Sequence, residues 1–352
     1  MKVTFIEQDQ RTLWDAFVYK HENGTLCHQS KWCQTLESAF PHIRGHFLAV
    51  LESDSDTIIA GMPIYEVRSW ILGDRLVSVP YSNWCDPIVS NDEQLELLLA
   101  EARKLGDYLG IKRIEIRCRA TQRKRLPDGW EADDSWKLHT TQLDTPEADL
   151  WKGLSRTAVR LLVRKAEKSG IDVSVETNSL SLHAFYDAFL QTRQELGLPA
   201  IPYHYFESLQ SHLGDESSTL FIARQSGELL GAVWLLTGPR EAHLEFAASR
   251  PNSKKSGAMQ LLYWRAMQLA QSKGCEEFSF GRTARDNEGL LVYKRRWNTI
   301  EEDLFSLVSG DRTTNKPSRL KALGKQFFQS VQQSLPKPIY QRLGSFLYSH
   351  WG

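Results

Sequence analysis

The sequence predicts an α/β (α+β) chain built from two tandem units of one topology, and three observations predict it. At 352 residues the chain is long enough for two cores of ordinary size. The order hairpin, strand, helix, glycine, strand occurs twice. The strands that follow the two glycines also correspond, GIKRIEIRC from Gly110 and GCEEFSFGR from Gly274, as in an internal duplication.

In chain order, a short strand near Val3 to Ile6 leads into a helix whose stripe includes Leu13, Trp14 and Phe17. Trp32, Leu36 and Phe40, four apart, put a second helix over Ser30 to Phe40. Phe47 to Leu51, the polar turn ESDSD and Ile58 to Val67 read as a hairpin, and Gly73 to Val79 as a third strand stopped by Pro80. Asn91 then caps a helix with Leu95, Leu98, Leu99, Ala102, Leu105 and Leu109 on its apolar face, ended by Gly110. Ile114, Ile116 and Cys118 alternate with charged residues, the mark of a strand with one wet face. A basic loop, RATQRKR, and a strand from Lys137 to Leu143 complete the first half.

The second half repeats the plan. Phe221 to Arg224 and Leu229 to Leu236 form a hairpin, Glu241 to Ala248 the next strand, and Met259, Leu262, Tyr263, Ala266, Met267 and Ala270 a helix stopped by Gly274. Between the halves a single long helix is expected over Asp149 to Ser169, with Arg156, Arg160, Arg164 and Lys168 stacked along one face. Like charges at this spacing repel, so the face suits either an anion or open solvent. The expected domains are 1–145, 146–308 and a basic amphipathic tail, 309–352.

Forty-three basic and forty-three acidic residues leave no net charge, which removes a whole-molecule argument for nucleic-acid binding and leaves local patches. Five scattered cysteines without CxxC spacing indicate neither a disulfide framework nor a zinc site, so a reducing cytoplasm is expected. No run approaches the ~20 apolar residues of a membrane span, and the N-terminus has no apolar signal core. No metal-ligand spacing, nucleophile elbow or P-loop is present.

The stretch with the most chemistry is FSFGRTARDNEGLLVYKRRWN, Phe278 to Asn298. A strand broken at Gly281-Arg282 releases a mobile polar loop and then Leu290, Leu291, Tyr293, Lys294 and Trp297, a place for reactive groups beside aromatic anchors.

Together with SRTAVRLLVRKAEKSGIDV and FYDAFLQTRQELGLPAIPYHYFESL, this stretch resembles in order and spacing the Fem-type (FemA/FemB-like) nonribosomal peptidyltransferases of the GNAT superfamily. It is most similar to the Fem-related proteins of exopolysaccharide and protein-sorting gene clusters. His28-x-x-x-Trp32 and GDRLVSVPYSNWCDP extend the likeness over nearly all of residues 25 to 308. The resemblance implies two tandem GNAT-like subdomains with mixed, largely antiparallel sheets. It also implies an acyl donor, aminoacyl-tRNA or acyl-CoA, used as co-substrate with no permanently bound cofactor. It places the reacting-carbonyl lysine on Lys294, after Tyr293, and the arginine of the RxxxRKA pattern on Arg160. This chain departs in having Asn298 where a glycine commonly follows the tryptophan, and in its own TARDNEG loop.

Acyl transfer to an amine needs a deprotonated nucleophile, a place for the developing oxyanion and fixed orientation of two substrates. Lys294 as a fixed cation would supply about 2 to 4 kcal/mol to the oxyanion in a dry site. Arg160 and Arg164 suit bidentate phosphate recognition, and Arg282 is a third candidate, with a salt bridge to Asp286 or Glu288 as its alternative. Glu245 and Asp86 are the candidate bases, against plain surface carboxylates. Tyr293, Trp297, His28 and Trp32 are candidate substrate contacts, and packing in the first core accounts for the last two equally. The helix start SKKSGAMQ, with Lys254, Lys255 and Gly257, offers a phosphate site that matches the GNAT QxxGxG/A signature imperfectly.

In the tail, Leu320, Leu323, Phe327 and Val331 and then Ile339, Leu343, Phe346 and Leu347 mark two apolar stripes. Seven basic residues against Asp311 suit either an anionic membrane at the inner face of the cell or packing on the body. The expected function is acyl transfer to an amine of a cell-envelope or polysaccharide precursor, on a phosphate-bearing or lipid-linked sugar substrate. The alternative is a non-catalytic binding or scaffold protein for a phosphorylated glycan, tRNA or envelope-assembly complex.

Overall fold

The computed structural model describes the whole chain except residues 54, 120–127, 254, 311–331, 351 and 352. All of the basic loop after Arg119, Lys254 and the first stripe of the tail thus lie outside the described residues. The chain forms two compact units, the first from residues 1–137, 302–310 and 350, the second from Leu138–Glu301 and 332–349.

The first unit contains β1 (Lys2–Phe5), α1 (Arg11–Lys20), α2 (Ser30–Ala39), β2 (Ile43–Leu51), β3 (Ile58–Val67), β4 (Arg75–Val77), α3 (Asp92–Leu109) and β5 (Arg113–Arg119). Its strands lie in that order, and residues of the last strand of the chain, β12 (Ile300–Ser309), follow beside β5. All neighbours are antiparallel except β4 and β5. Asn91 caps α3 by accepting from the Gln94 N–H, as its sequence position suggests. Leu98, Ala102, Ile64, Ile116 and Leu307 close its core.

The second unit takes the C-terminal residues of β6 (Glu131–Gln142), then α4 (Glu147–Gly153), a π-helical turn (Arg156–Arg160), α5 (Leu161–Lys168) and β7 (Asp172–Val175). It continues with α6 (Ser179–Glu195), α7 (Tyr203–Ser217), β8 (Ser218–Gln225), β9 (Glu228–Thr237) and β10 (Glu241–Ser249). Then come α8 (Ala258–Ser272), β11 (Glu277–Ala284), α9 (Glu288–Arg295) and, near the C-terminus, α10 (Lys337–Ser349). Its strand order is β6-β11-β10-β9-β8-β7, with β10 and β11 parallel. Both units therefore run strand, two helices, antiparallel hairpin, strand, helix, parallel strand, as the duplication predicts. Gly110 and Gly274 end the counterpart helices α3 and α8 at φ 69° and 80°, a left-handed turn that any side chain would strain.

The structure corrects four expectations. The long helix is broken at Leu154 and Ser155, whose backbones are extended; Ser155 caps the π-helical turn by accepting from the Ala158 N–H. The four basic residues thus do not share one regular helix. The unit boundary falls at 137/138 and each unit is discontinuous in sequence: the first takes its sixth strand from beyond residue 301, and the second adds residues 332–349 near the C-terminus. The stretch Phe278 to Asn298 is strand, short turn and helix, not a mobile loop. The second tail helix belongs to the second unit, yet its buried residues are Tyr340 and Gly344, while the stripe Ile339, Leu343 and Phe346 is exposed. Among the described residues no helix is long and apolar enough to cross a membrane.

Candidate active site

The site begins where two parallel strands stop pairing. β10 and β11 are in register over Glu241 to His243 against Glu277 to Ser279, and both run on, to Ser249 and Ala284. Two positions past the last pair lie Glu245 on one strand and Gly281 on the other. At Glu245 the pairing of β10 with β9 slips between Leu244 and Phe246, so Glu245 is the extra residue of a β-bulge. Bulges re-aim a side chain, and here the one re-aimed is a carboxylate. Burial pushes the Glu245 carboxyl above the usual range, with His243 and Arg282 opposing the shift.

Lys294 lies beneath the facing strand. Its ammonium donates to the carbonyls of Gly281, 2.8 Å, and Arg282, 3.1 Å, which leaves one of its three hydrogens uncommitted. It is 6 % exposed, and burial lowers its pKa to about 7. Burial therefore works against a permanent charge on Lys294, while the two carbonyls it donates to favour one.

Trp297 requires a correction. It is fully buried against Tyr263 and Phe280, with ring centroids 5.3 and 5.5 Å away, so it belongs to the core and does not line a substrate site. Tyr293 is half-buried and packs against the same core cluster as Trp297. Asn298 follows at φ 59°. The backbone there is left-handed, which explains why a glycine suits the position and why asparagine replaces it at little cost.

The structure brings the two segments expected to handle anions together. The helix start at Gly257, φ 85°, packs against α5 so closely that a Cβ there would lie 2.2 Å from the Leu162 carbonyl. Lys165 of α5 donates to the Lys255 carbonyl at 2.7 Å. The amides of the first turn of α8 have no intrahelical acceptors, so a helix N-terminus beside a basic helix is suited to phosphate. Arg164 is exposed over the Trp151 ring, whereas Arg160 is half-buried and spends its Nε–H on the Leu154 carbonyl. The Ser155 N–H donates to the Arg296 carbonyl, 2.9 Å, which ties the π-helical turn to the end of α9.

The first unit has the same parallel pair, but its opening is sealed. β4 and β5 are in register to Val77 against Glu115, and two positions on lie Val79 and Arg117. Arg117 donates to the carbonyls of Val79 and Ser82, 2.9 and 3.2 Å. The Cys85 N–H donates to the Arg117 carbonyl, and Asp86 accepts from the Arg119 N–H at 2.7 Å. Asp86, buried and held to β5, is thereby accounted for as a structural carboxylate. His28, fully buried, has Nδ1 2.8 Å from Thr25 Oγ1 and Nε2 2.7 Å from the Asp86 carbonyl. Trp32 is fully buried too, so packing in the first core accounts for both it and His28.

Two residues near Glu245 escaped the sequence reading. His243 shares its strand and electrostatic field, a relation visible as an i, i+2 pair. Tyr348, from α10, feels the charges of Arg193, Glu245 and Arg282, and its ring lies 5.7 Å from the Arg193 guanidinium. Nothing local in the sequence connects residue 348 to that strand.

Residues 155–295 match the profile of the acetyltransferase (GNAT) domain. No curated protein sequence matches the chain. Among solved structures, the crystal structure of FemX is similar over 87 % of this chain and 97 % of its own, at 16 % identity and a TM-score of 0.69. L-PGS from Bacillus licheniformis is similar over 93 % and 96 %, at 14 % identity and TM-score 0.55. A tandem GNAT protein from the clavulanic acid biosynthesis pathway is similar over 88 % of this chain and 99 % of its own, at 12 % identity and TM-score 0.53. At these identities the likeness is one of fold, and with the domain match it supports acyl transfer in general.

Proposed function

We propose that the protein is an acyltransferase whose chemistry is confined to its second unit, moving an acyl or aminoacyl group from a phosphate-bearing donor to an amine. The observation that carries the reading is the juxtaposition of Glu245 and the Gly281 and Arg282 carbonyls that hold Lys294, just past the last pair of β10 and β11. The acceptor amine attacks the donor carbonyl; a C–N bond forms and the C–S or C–O bond to the leaving group breaks. Glu245, its carboxyl raised by burial, accepts the amine proton. The uncommitted Lys294 N–H stabilises the oxyanion, and its low pKa lets the proton pass on to the leaving group. The start of α8, with Lys255, Arg164 and Lys165 beside it, holds the donor phosphates, and Arg282 orients the acceptor.

Acyl-CoA and aminoacyl-tRNA both carry such phosphates. The Fem-type motifs favour an amine of a cell-envelope or polysaccharide precursor as acceptor, a substrate that bears phosphate or is lipid-linked. Calorimetric titration with CoA and, separately, with bulk tRNA tests the donor. Binding of one of them, weakened about tenfold or more by Lys165→Ala with Lys255→Ala, supports the phosphate site; binding of neither contradicts it.

A further inference from the structure

We propose that Arg193 holds a carboxylate carried by the acceptor, so that the amine acylated is that of an acidic molecule. The proposal rests on the transfer reading and names the class of its acceptor. Arg193 stands on α6, and its side chain is fixed at three points. Its Nε donates to the Pro199 carbonyl at 2.6 Å, and its guanidinium carbon lies 5.6 Å from the centre of the Phe189 ring and 5.7 Å from that of Tyr348. A guanidinium has five N–H donors, and four of them are on the two Nη atoms. Among the described residues neither Nη has an acceptor, and no carboxylate lies within ion-pair distance of them. Burial pulls Arg193 below its ordinary pKa, with Tyr348 and Tyr340 opposing the shift. A cation kept from water with no counter-ion is costly, and a methionine would fill the space between the two rings without that cost. The missing anion is one that arrives with a ligand.

Position assigns that anion to the acceptor. Arg193, Glu245 and Tyr348 are each half-buried, yet burial is the leading cause of the shift in all three, downward for the arginine and upward for the other two. Groups that touch solvent while losing much of its stabilisation line a recess and not a convex surface. Tyr348 feels the charges of both Arg193 and Glu245, which puts the guanidinium and the proposed base within electrostatic reach of one hydroxyl. Consecutive residues of a strand point to opposite faces. On β10, Phe246 meets Phe189 of α6, ring centroids 5.5 Å apart, while Ala247 packs on the cluster that holds Leu262 and Ala266 of α8. Helices α6 and α8 thus flank β10 from opposite sides. The donor phosphates belong to the α8 side, which leaves Arg193 to the acceptor. A carboxylate is the group that fits: planar and singly charged, it takes two parallel N–H bonds from the Nη atoms and neutralises one guanidinium.

The test is thermal melting of the full chain at constant ionic strength, with chloride replaced stepwise by caproate or by inorganic phosphate. Caproate should raise the melting temperature of the wild type in a saturable way, and Arg193→Met should lose about tenfold or more in apparent caproate affinity. Arg193→Lys, which keeps the charge and loses the fork, should lie between the two. No effect of caproate on the wild type, or the same effect on Arg193→Met, overturns the proposal. So does a wild-type affinity for phosphate about tenfold or more above that for caproate, since the recess would then take a phosphoryl group. With a donor that binds, ε-aminocaproate should be acylated about tenfold or more better than hexylamine in kcat/KM, and Arg193→Met should erase the preference through KM. Equal use of the two amines by the wild type overturns the assignment to the acceptor. Caproate binding that stands while neither amine is acylated counts against the transfer reading; transfer that stands without caproate binding counts against Arg193 alone.

Discussion

At the scale of single residues the proposed chemistry turns on Lys294, and its burial has two measurable consequences. In the folded chain it holds its proton only to about pH 7, against 10.5 when exposed. Between those values the unfolded state binds more protons, so this group makes stability rise with pH; below 7 both states are protonated and the dependence ends. The unfolding free energy of wild type minus that of Lys294→Met should therefore climb from pH 7 to 10, by denaturant titration, and a flat difference would contradict the assignment. The rate should rise with pH as Glu245 loses its proton, above the ordinary carboxylate range, and fall beyond about 7 as Lys294 loses its own. Glu245→Gln removes the rising limb. Trp297→Ala should cost about 3 to 5 kcal/mol of stability as a core truncation, while Asn298→Gly should change it by less than about 1 kcal/mol. A Trp297→Ala protein of wild-type stability and weakened ligand binding would restore that residue to the substrate site.

The counterpart elements α3 and α8 were legible in the sequence because capping and stop signals flank a clean apolar stripe, Asn91 and Gly110 for the first, Gly257 and Gly274 for the second. The break between α4 and α5 was not, since Leu154 is in phase with the apolar face and Ser155 is neither proline nor glycine. The chain leaves the helix there to cap a new turn and to bond the Arg296 carbonyl, a tertiary contact that no local pattern reports. The same holds for Lys294, whose spacing is visible and whose burial is not. At this scale the approach of α8 to α5 is the feature most exposed to test. Gly257→Val introduces a Cβ into the Leu162 carbonyl and strains a left-handed backbone. It should separate the helices and abolish donor binding before it abolishes folding, as read by calorimetry beside circular dichroism. Retained donor binding would place the phosphates elsewhere.

For the whole molecule, the duplication predicted two like units and the structure has two, but only one keeps its parallel strands open. In the other, Arg117 donates to the Val79 and Ser82 carbonyls and Asp86 accepts from the Arg119 N–H, so the proposed site uses one of two like scaffolds. The pattern along the chain suggested a cut near residue 145. The units are interleaved in sequence instead, with β12 completing the first sheet beside β5. A fragment of residues 1–145 leaves that edge unpaired and should fail to give a cooperative thermal transition; a stable monomeric fragment would contradict the assignment of β12.

The most direct measurement is acyl transfer to an amine from whichever donor binds, compared at pH 7 for wild type, Glu245→Gln and Lys294→Ala alongside donor affinity. Both variants should bind donor as wild type does and turn over about a hundredfold more slowly or worse. Wild-type turnover in both variants would contradict the account.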